Sequence, residues 1–346
     1  MHALQCLIRR PLAGSSSKNV PASPTAAPVN AARVAQTSSA TACAKPSTQG
    51  PPNRKRSVRN LISTFSIAAF DPANDELGIA VQSKFLAVGA VVPWARAGVG
   101  AVATQAMANV SYGPRGLELM AEGRTAEETV QELVAADEGR EDRQVGVVDA
   151  RGRAASFTGN DCFDWAGGIT GEHYATQGNI LVGEETVRAM ARVYEGTDGD
   201  LAGRLLAALD AGQEAGGDSR GRQSAALLVV REAGGYGGQS DRVVDLRVDD
   251  HPDPIKELIR IRELHTLYFG ETEPEDVIAV DQGVRDEVVA SLLRLGYLES
   301  GDAEDERLYE ALGAFIGTEN FKEREQERGY LDRRVLDFLR GKQPGE

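Results

Sequence analysis

The side chains in this 346-residue chain that could do chemistry fall into a few short groups. The first is Thr64, with Ser63 and Ser66 beside it and Gln82-Ser83-Lys84 further along. If the chain turns so that Phe70 pairs with Leu77, Thr64 faces Ser83 and stands beside Lys84, which brings hydroxyls and an amine together. A lysine charge in that place lowers the pKa of a neighbouring amine or hydroxyl, or stabilises an anion. The other reading is a strand-end lysine snorkelling to solvent. Lys84 is the only lysine between Asn60 and Asp250. The second group is Gln177-Gly178-Asn179, where a side-chain amide beside a permissive glycine suits an oxyanion hole or, equally, a plain turn. The third lies in the Gly-rich loop Gly216 to Ser224. There Asp218, Arg220 and Ser224 could recognise a substrate carboxylate, or the loop could be a solvated helix–strand connection. Arg96, Gln105 and Asn109, with Trp94, flank a Gly/Ala run and are candidates to line a substrate pocket, Trp94 having core packing as its other role.

These groups need a frame. Thr64–Phe70 and Leu77–Ser83 read as strands around the turn Asp71–Glu76, and both are apolar on both faces, so they predict a central hairpin covered on each side. Leu86–Gln105 is broken by Pro93 and by glycines, and predicts short strands rather than a helix. Pro114 opens a helix over Arg115–Glu122, and Thr125 with Glu128 forms a capping box for Ala126–Ala136, whose buried stripe is Val130, Leu133 and Val134. A second hairpin follows, Gln144–Asp149 and Arg153–Thr158. Helices are expected at Glu184–Tyr194 and, capped by Asp200, at Leu201–Gly212. Strands are expected at Gln223–Arg231 and Arg242–Val248, then a helix from Asp253-Pro254 to Tyr268. Hairpins alternating with helix pairs predict an α+β fold: a four-layer αββα sandwich, two antiparallel sheets between helix layers. Beyond an acidic linker, Val284–Leu295, Glu304–Phe315 and Leu331–Arg340 predict a small all-α domain.

The blocks TFSIAAFDP, LGIAVQSKFLAVGAVVPWARAGVGAVATQ, YGPRGLELM, QGNIL and GRQSAALLVV resemble the DUF1028 family, a branch of the N-terminal-nucleophile (Ntn) hydrolase superfamily. The resemblance runs over roughly Thr64 to Phe269. It implies the αββα fold and amide-bond hydrolysis by the first residue of the mature chain, without naming a substrate. Such a residue uses its own α-amine, titrating near pH 8, as the base for its hydroxyl. Thr64 is the residue that matches, ahead of Ser63 and Ser66, and it is internal, so activity requires cleavage at Ser63-Thr64 or a different start. The remaining reading of Thr64 is a β-branched strand residue. LLRLGYLESG and ALGAFIGTENF resemble the peptidoglycan-binding-like domain that some members carry at this end, with a helical cap or dimerisation module as the alternative.

Composition narrows the field. Residues 1–63 hold nine Lys/Arg and no acid, leaving 29 basic against 52 acidic groups in the rest. Such a body repels phosphate backbones, which argues against nucleic acid as a partner. No run of eighteen apolar residues predicts a transmembrane helix. Of Cys6, Cys43 and Cys162 only the last lies in the body, so no disulfide framework is expected there. The histidines are scattered, no metal-ligand spacing or dinucleotide fingerprint occurs, and no cofactor or metal is expected. His251 with Asp249 and Asp250 is a helix-leading turn before it is a metal site. The expected organisation is a disordered leader or mis-called start over 1–62, an Ntn-like domain over 63–269, the linker 270–279 and the helical domain over 280–342. The expected partners are a small amide or peptide-like substrate, peptidoglycan, and a second copy of the chain in a homo-oligomer; the cytoplasm is favoured over export. The alternative to an amidohydrolase is a non-catalytic binding protein on the same fold, docking through its helical module.

Overall fold

The computed structural model describes residues 64–301 and 304–345. The expected leader over 1–62 lies outside them. The chain is mixed α and β, with three antiparallel sheets and eight α-helices among the described residues.

The hairpin β1 (Thr64–Asp71) and β2 (Glu76–Ser83) is buried along its whole length. Its register pairs Phe70 with Leu77 and Thr64 with Ser83. It sits at the centre of a six-stranded sheet whose order is β10-β9-β2-β1-β8-β7, with β7 (Gly167–Gly171), β8 (Tyr174–Asn179), β9 (Ser224–Val230) and β10 (Arg242–Val248). The second sheet, β3-β4-β5-β6, is built from β3 (Pro93–Arg96), β4 (Gly100–Ala106), β5 (Arg143–Asp149) and β6 (Ala154–Thr158). Because side chains alternate along a strand, β1 and β2 serve two cores at once. Phe65, Ile67, Ala69 and Ala80 pack with helices α3 (Glu185–Gly196), α4 (Leu201–Glu214) and the start of α5 (Pro254–Phe269). Ala68, Phe70, Leu77, Ile79 and Val81 pack instead with Val92, Ala101, Ala103 and Val148 of the second sheet's segments. The other face of that second sheet, through Val102, Val145 and Val147, packs with α1 (Tyr112–Ala121) and α2 (Ala126–Ala135).

Local signals act as their chemistry dictates. Thr125 and Glu128 form the reciprocal capping box of α2, and Asp200 accepts from the Gly203 N–H at the start of α4. Val130 and Leu133 are buried on α2, while Val134 is half-buried at the edge of the stripe. α1 starts at Tyr112, so Pro114 sits within its first turn. The hairpin β7–β8 is the element that sequence patterning does not show: GGITG and YATQGN carry four glycines and little β-branched character.

The C-terminal part corrects an expectation, because it is not all-α. Helices α6 (Gln282–Leu295), α7 (Asp305–Thr318) and α8 (Arg333–Gly341) carry a two-stranded sheet of β11 (Val277–Ala279) and β12 (Tyr330–Asp332). β11 falls inside the stretch expected as a linker. Three-residue strands are too short to show a period of two. Helix α5 is shared between two cores. Ile255 and Leu258 belong to the core under α4, whereas Leu267 and Tyr268 belong to the core of α6, α7 and α8. Arg324 fixes that junction, donating through Nε to the Leu267 carbonyl (2.6 Å) and through Nη1 to Asp332 Oδ2 (2.8 Å).

Candidate active site

Strand register assembles a row of polar side chains across one end of the large sheet. Asn179 of β8 faces Thr64 of β1, Thr64 faces Ser83 of β2, and Ser83 faces Ser224 of β9. All are buried, and in the intact chain Thr64 has no solvent-accessible surface. Thr64 Oγ1 donates to Ser83 Oγ at 3.2 Å. Sequence reasoning reaches Thr64–Ser83 from the hairpin turn alone, but the Asn179 side follows only once β8 is known.

Behind this row lies a buried amide and hydroxyl network between the sheets. Ser66 Oγ donates to Gln105 Oε1 (2.7 Å) and accepts from Gln177 Nε2 (2.7 Å). Gln105 Nε2 approaches the Thr64 carbonyl at 3.4 Å and Gln144 Oε1 at 2.7 Å. Gln144 Oε1 also accepts from Asn179 Nδ2 at 3.0 Å. Gln144 Nε2 reaches the Gly178 carbonyl (2.8 Å), Thr158 Oγ1 (2.9 Å) and the Gly167 carbonyl (3.2 Å). Gly146 of β5 leaves room for this layer, since a Cβ there would lie 2.0 Å from Gln177 Oε1. Two non-glycine residues with positive φ stand at its margin, Ala106 (66°) after Gln105 and Ile180 (54°) after Asn179. A left-handed conformation costs a side-chain-bearing residue about 1–2 kcal/mol, so the packing around these strand ends imposes it.

The other predicted residues do different work. Lys84 is exposed and its Nζ donates to the Arg222 carbonyl at 3.2 Å, while its backbone N–H donates to Asp218 Oδ2 at 2.8 Å. Its amine is drawn along the sheet end toward Arg222, with no bond to Thr64. The Asp218 side chain is buried and forms an ion pair with Arg220 (3.2 Å), whose Nη2 also donates to the Lys84 carbonyl (3.3 Å). Asp218 and Arg220 therefore clamp the chain just beyond Ser83. Ser224 Oγ donates to the Phe85 carbonyl (2.5 Å) and accepts from the Val88 N–H (3.0 Å), pinning the turn after β2. Arg96 is exposed opposite Gly100, at the end of β4 away from Gln105, so the two are not brought together. Trp94 is half-buried against α1, its indole N–H on the Val91 carbonyl at 3.0 Å.

Asn109 is also placed elsewhere, in a polar hub outside the second sheet. Asp137 accepts from Asn109 Nδ2 (3.0 Å), Tyr112 Oη (3.0 Å), Arg143 Nε (2.9 Å) and the Gly139 N–H (2.7 Å). Burial works to raise the Asp137 pKa, but these donors outweigh it and hold the carboxyl well below its usual range. Burial, and then the bond to Asp137, pushes the Tyr112 hydroxyl up. The hub borders an open groove of about 320 Å³ between α1 and α2. Arg143 Nη1 also holds the Met107 carbonyl (2.6 Å), so the hub anchors the chain that leaves Gln105. Among the described residues no three His, Cys, Asp or Glu side chains converge on a metal-sized site, and no helix is long and apolar enough to cross a membrane.

The model of the family described as "Family of unknown function (DUF1028)" matches residues 64–258. The chain belongs to the DUF1028 family. Its matched region begins at Thr64 and takes in both large sheets. Residues 268–339 match a second model, described as "Putative peptidoglycan binding domain". Among solved structures the DUF1028 chain is similar to protein SPO2555 from Silicibacter pomeroyi, itself of this family. Identity is 32% and the TM-score 0.55, over 60% of this chain and 91% of that one. Anbu (ancestral beta-subunit) from Yersinia bercovieri aligns at 13% identity and a TM-score of 0.26, over 57% of this chain and 91% of that one, which is too slight to bear on function. No curated protein matches.

Proposed function

We propose that this DUF1028 protein is an Ntn-type amidohydrolase on a four-layer αββα fold, with Thr64 as nucleophile once its α-amine is freed. The carrying observation is the row Asn179–Thr64–Ser83: a hydroxyl at the very start of a central strand, 3.2 Å from a second hydroxyl and flanked by an amide. Freed, the Thr64 amine would take the proton of its own Oγ1 and the alkoxide would attack an amide carbonyl; the C–N bond then breaks, the departing amine takes that proton, and water cleaves the acyl ester left on Oγ1 to a carboxylic acid and the free hydroxyl. Ser83 supplies a hydrogen bond to the attacking oxygen, and Asn179 an N–H for the oxyanion. Asp218, Arg220 and Lys84 shape the chain end next to Ser83, where the carboxylate of a small amide or peptide-like substrate would approach. In this reading the uncleaved chain is inactive because the Thr64 nitrogen is held in the peptide bond to Ser63, and cleavage at Ser63-Thr64 frees it as an amine. Thr64→Ala should process normally in trans and hydrolyse nothing; full turnover by that variant would assign the nucleophile elsewhere.

For the C-terminal module we propose adhesion to cell wall. A groove of about 210 Å³ between α7 and β12 presents Tyr309, Tyr330, Gln326 and Arg328, aromatic faces beside polar donors of the kind that bind sugars and peptide stems. The intact chain should sediment with insoluble peptidoglycan and Tyr330→Ala should do so less. Equal sedimentation would remove this role from the groove.

A further inference from the structure

The network between the sheets has a direction, and one residue sets it. Backbone carbonyls only accept, so the Gln144 end that meets the Gly178 carbonyl at 2.8 Å must be its NH₂. Its Oε1 then faces β4 and β8, which obliges Gln105 and Asn179 to present their NH₂ groups to it. Gln105 consequently turns Nε2 toward the Thr64 carbonyl and Oε1 toward Ser66, whose hydroxyl must donate and whose oxygen accepts from Gln177. Neither Gln105 nor Asn179 can flip without setting two acceptors face to face in a buried layer, a loss that low dielectric makes severe. Gln144 and Gln105 have no exposed surface and Asn179 only 1%.

We propose that Gln144 is the positioning residue of the candidate site: it fixes the polarity of this amide relay so that Asn179 and Gln105 aim N–H groups, not oxygens, at the Thr64 end of the sheet. That the relay serves catalysis rests on the amidohydrolase reading; its direction does not. Preorganised donors are what oxyanion stabilisation requires, and the strand ladder alone leaves the orientation of a side-chain amide open.

The test uses two near-isosteric variants in the full chain. Gln144→Met removes both ends of the relay and should lower kcat about a hundredfold while leaving KM within about threefold. Gln144→Glu keeps the acceptor and can donate to the Gly178 carbonyl only when protonated. Gln144 is bonded by Gln105 of β4, Thr158 of β6, Gly167 of β7, and Gly178 and Asn179 of β8, with Thr64, Ser66 and Gln177 one bond further on; none has an ionisable side chain, and the freed Thr64 α-amine, the one titratable group at this end, is uncharged in the form that acts as base, so desolvation governs the new carboxyl and raises its pKa. Its kcat should therefore approach wild type at low pH and fall as that carboxyl ionises, on a limb that the wild type lacks. A Gln144→Glu profile parallel to wild type, or a Gln144→Met enzyme with full kcat, would overturn the proposal. Neutron diffraction from the deuterated wild-type protein separates this from the function itself, because it distinguishes ND₂ from O without any turnover. An Asn179 or Gln105 oxygen pointing at Gln144 would refute the relay whatever the activity, while ND₂ groups at both positions in a protein that hydrolyses nothing would leave the relay standing and the enzyme reading defeated.

Discussion

At the scale of single residues, reactivity in the proposed site depends on which hydroxyl is placed to attack. Thr64 Oγ1 is already bonded to Ser83 Oγ, so Thr64→Val should cost about 1–2 kcal/mol, the range for a buried hydrogen bond lost with its partner left unpaired. Thr64→Ser keeps the hydroxyl and should keep turnover. Thermal melts and single-turnover assays on both variants check this, and a Thr64→Val protein that hydrolyses amides normally would count against the nucleophile. Lys84 is a different case. Its Nζ rests on the Arg222 carbonyl at the surface, so Lys84→Met should leave the pH dependence of turnover unchanged and act, if anywhere, on KM for anionic amides. A displaced pH profile in Lys84→Met would restore the pKa-tuning role that the sequence alone allows.

At the scale of elements, the site is a consequence of register. The turn Asp71–Glu76 fixes Thr64 opposite Ser83, and that much is legible because apolar runs and a turn cluster determine a hairpin. The partner on the other side, β8, is hidden. Its one glycine, Gly178, lets Leu181 pack closely, as Gly146 of β5 does for Gln177, and such packing leaves no hydrophobic period. Gln144 escapes sequence reasoning for a related reason: a single glutamine in RQVGVVD reads as a polar strand end, and only the opposing sheet shows what it bonds. A hint survives in AVQS, ATQA, RQVG and ATQG, each an apolar strand with one glutamine near its end. Arg96 and Asn109 are near Gln105 in sequence but are carried to another sheet end and to the outer hub, because β4 runs the length of the sheet between them. Gly146 offers the element-scale test. Gly146→Ala would press its methyl onto Gln177, which Ser66 holds in place, and should destabilise by about 1–3 kcal/mol as overpacking does. Denaturant melts measure that loss; a neutral substitution would mean the two sheets sit further apart than described.

At the scale of the whole molecule, helix α5 and the Arg324–Asp332 pair tie the C-terminal module to the DUF1028 domain. Asp332 is fully buried. Burial works to raise its pKa, but the bonds from Thr272, Arg324 and the Val335 N–H outweigh it and hold the carboxyl low. A depressed carboxyl gives stability that is present above the unfolded value, near pH 4, and is lost as pH falls through the folded one. The module should therefore unfold before the sheets on acidification. Asp332→Asn should flatten that pH dependence and lower stability by about 3–5 kcal/mol at neutral pH, since it strands a buried guanidinium. Fluorescence-monitored acid titration follows it, and an unchanged acid limb would exclude Asp332 as its source. The same junction sets where the chain can be cut. Ending it at Gly270 strips cover from Leu267 and Tyr268 and should give an aggregating body, whereas ending it at Glu263 keeps Ile255 and Leu258 packed and should give a soluble one with unchanged rate on small amides. Light scattering of the two truncations decides between this boundary and one in the acidic stretch.

Whether Thr64 acts as an N-terminal nucleophile is decided by the intact mass of the species that turns over a small amide. That species should be a chain whose first residue is Thr64, with hydrolysis appearing as that mass appears. Full hydrolysis by a chain still carrying the residues that precede Thr64 would contradict it.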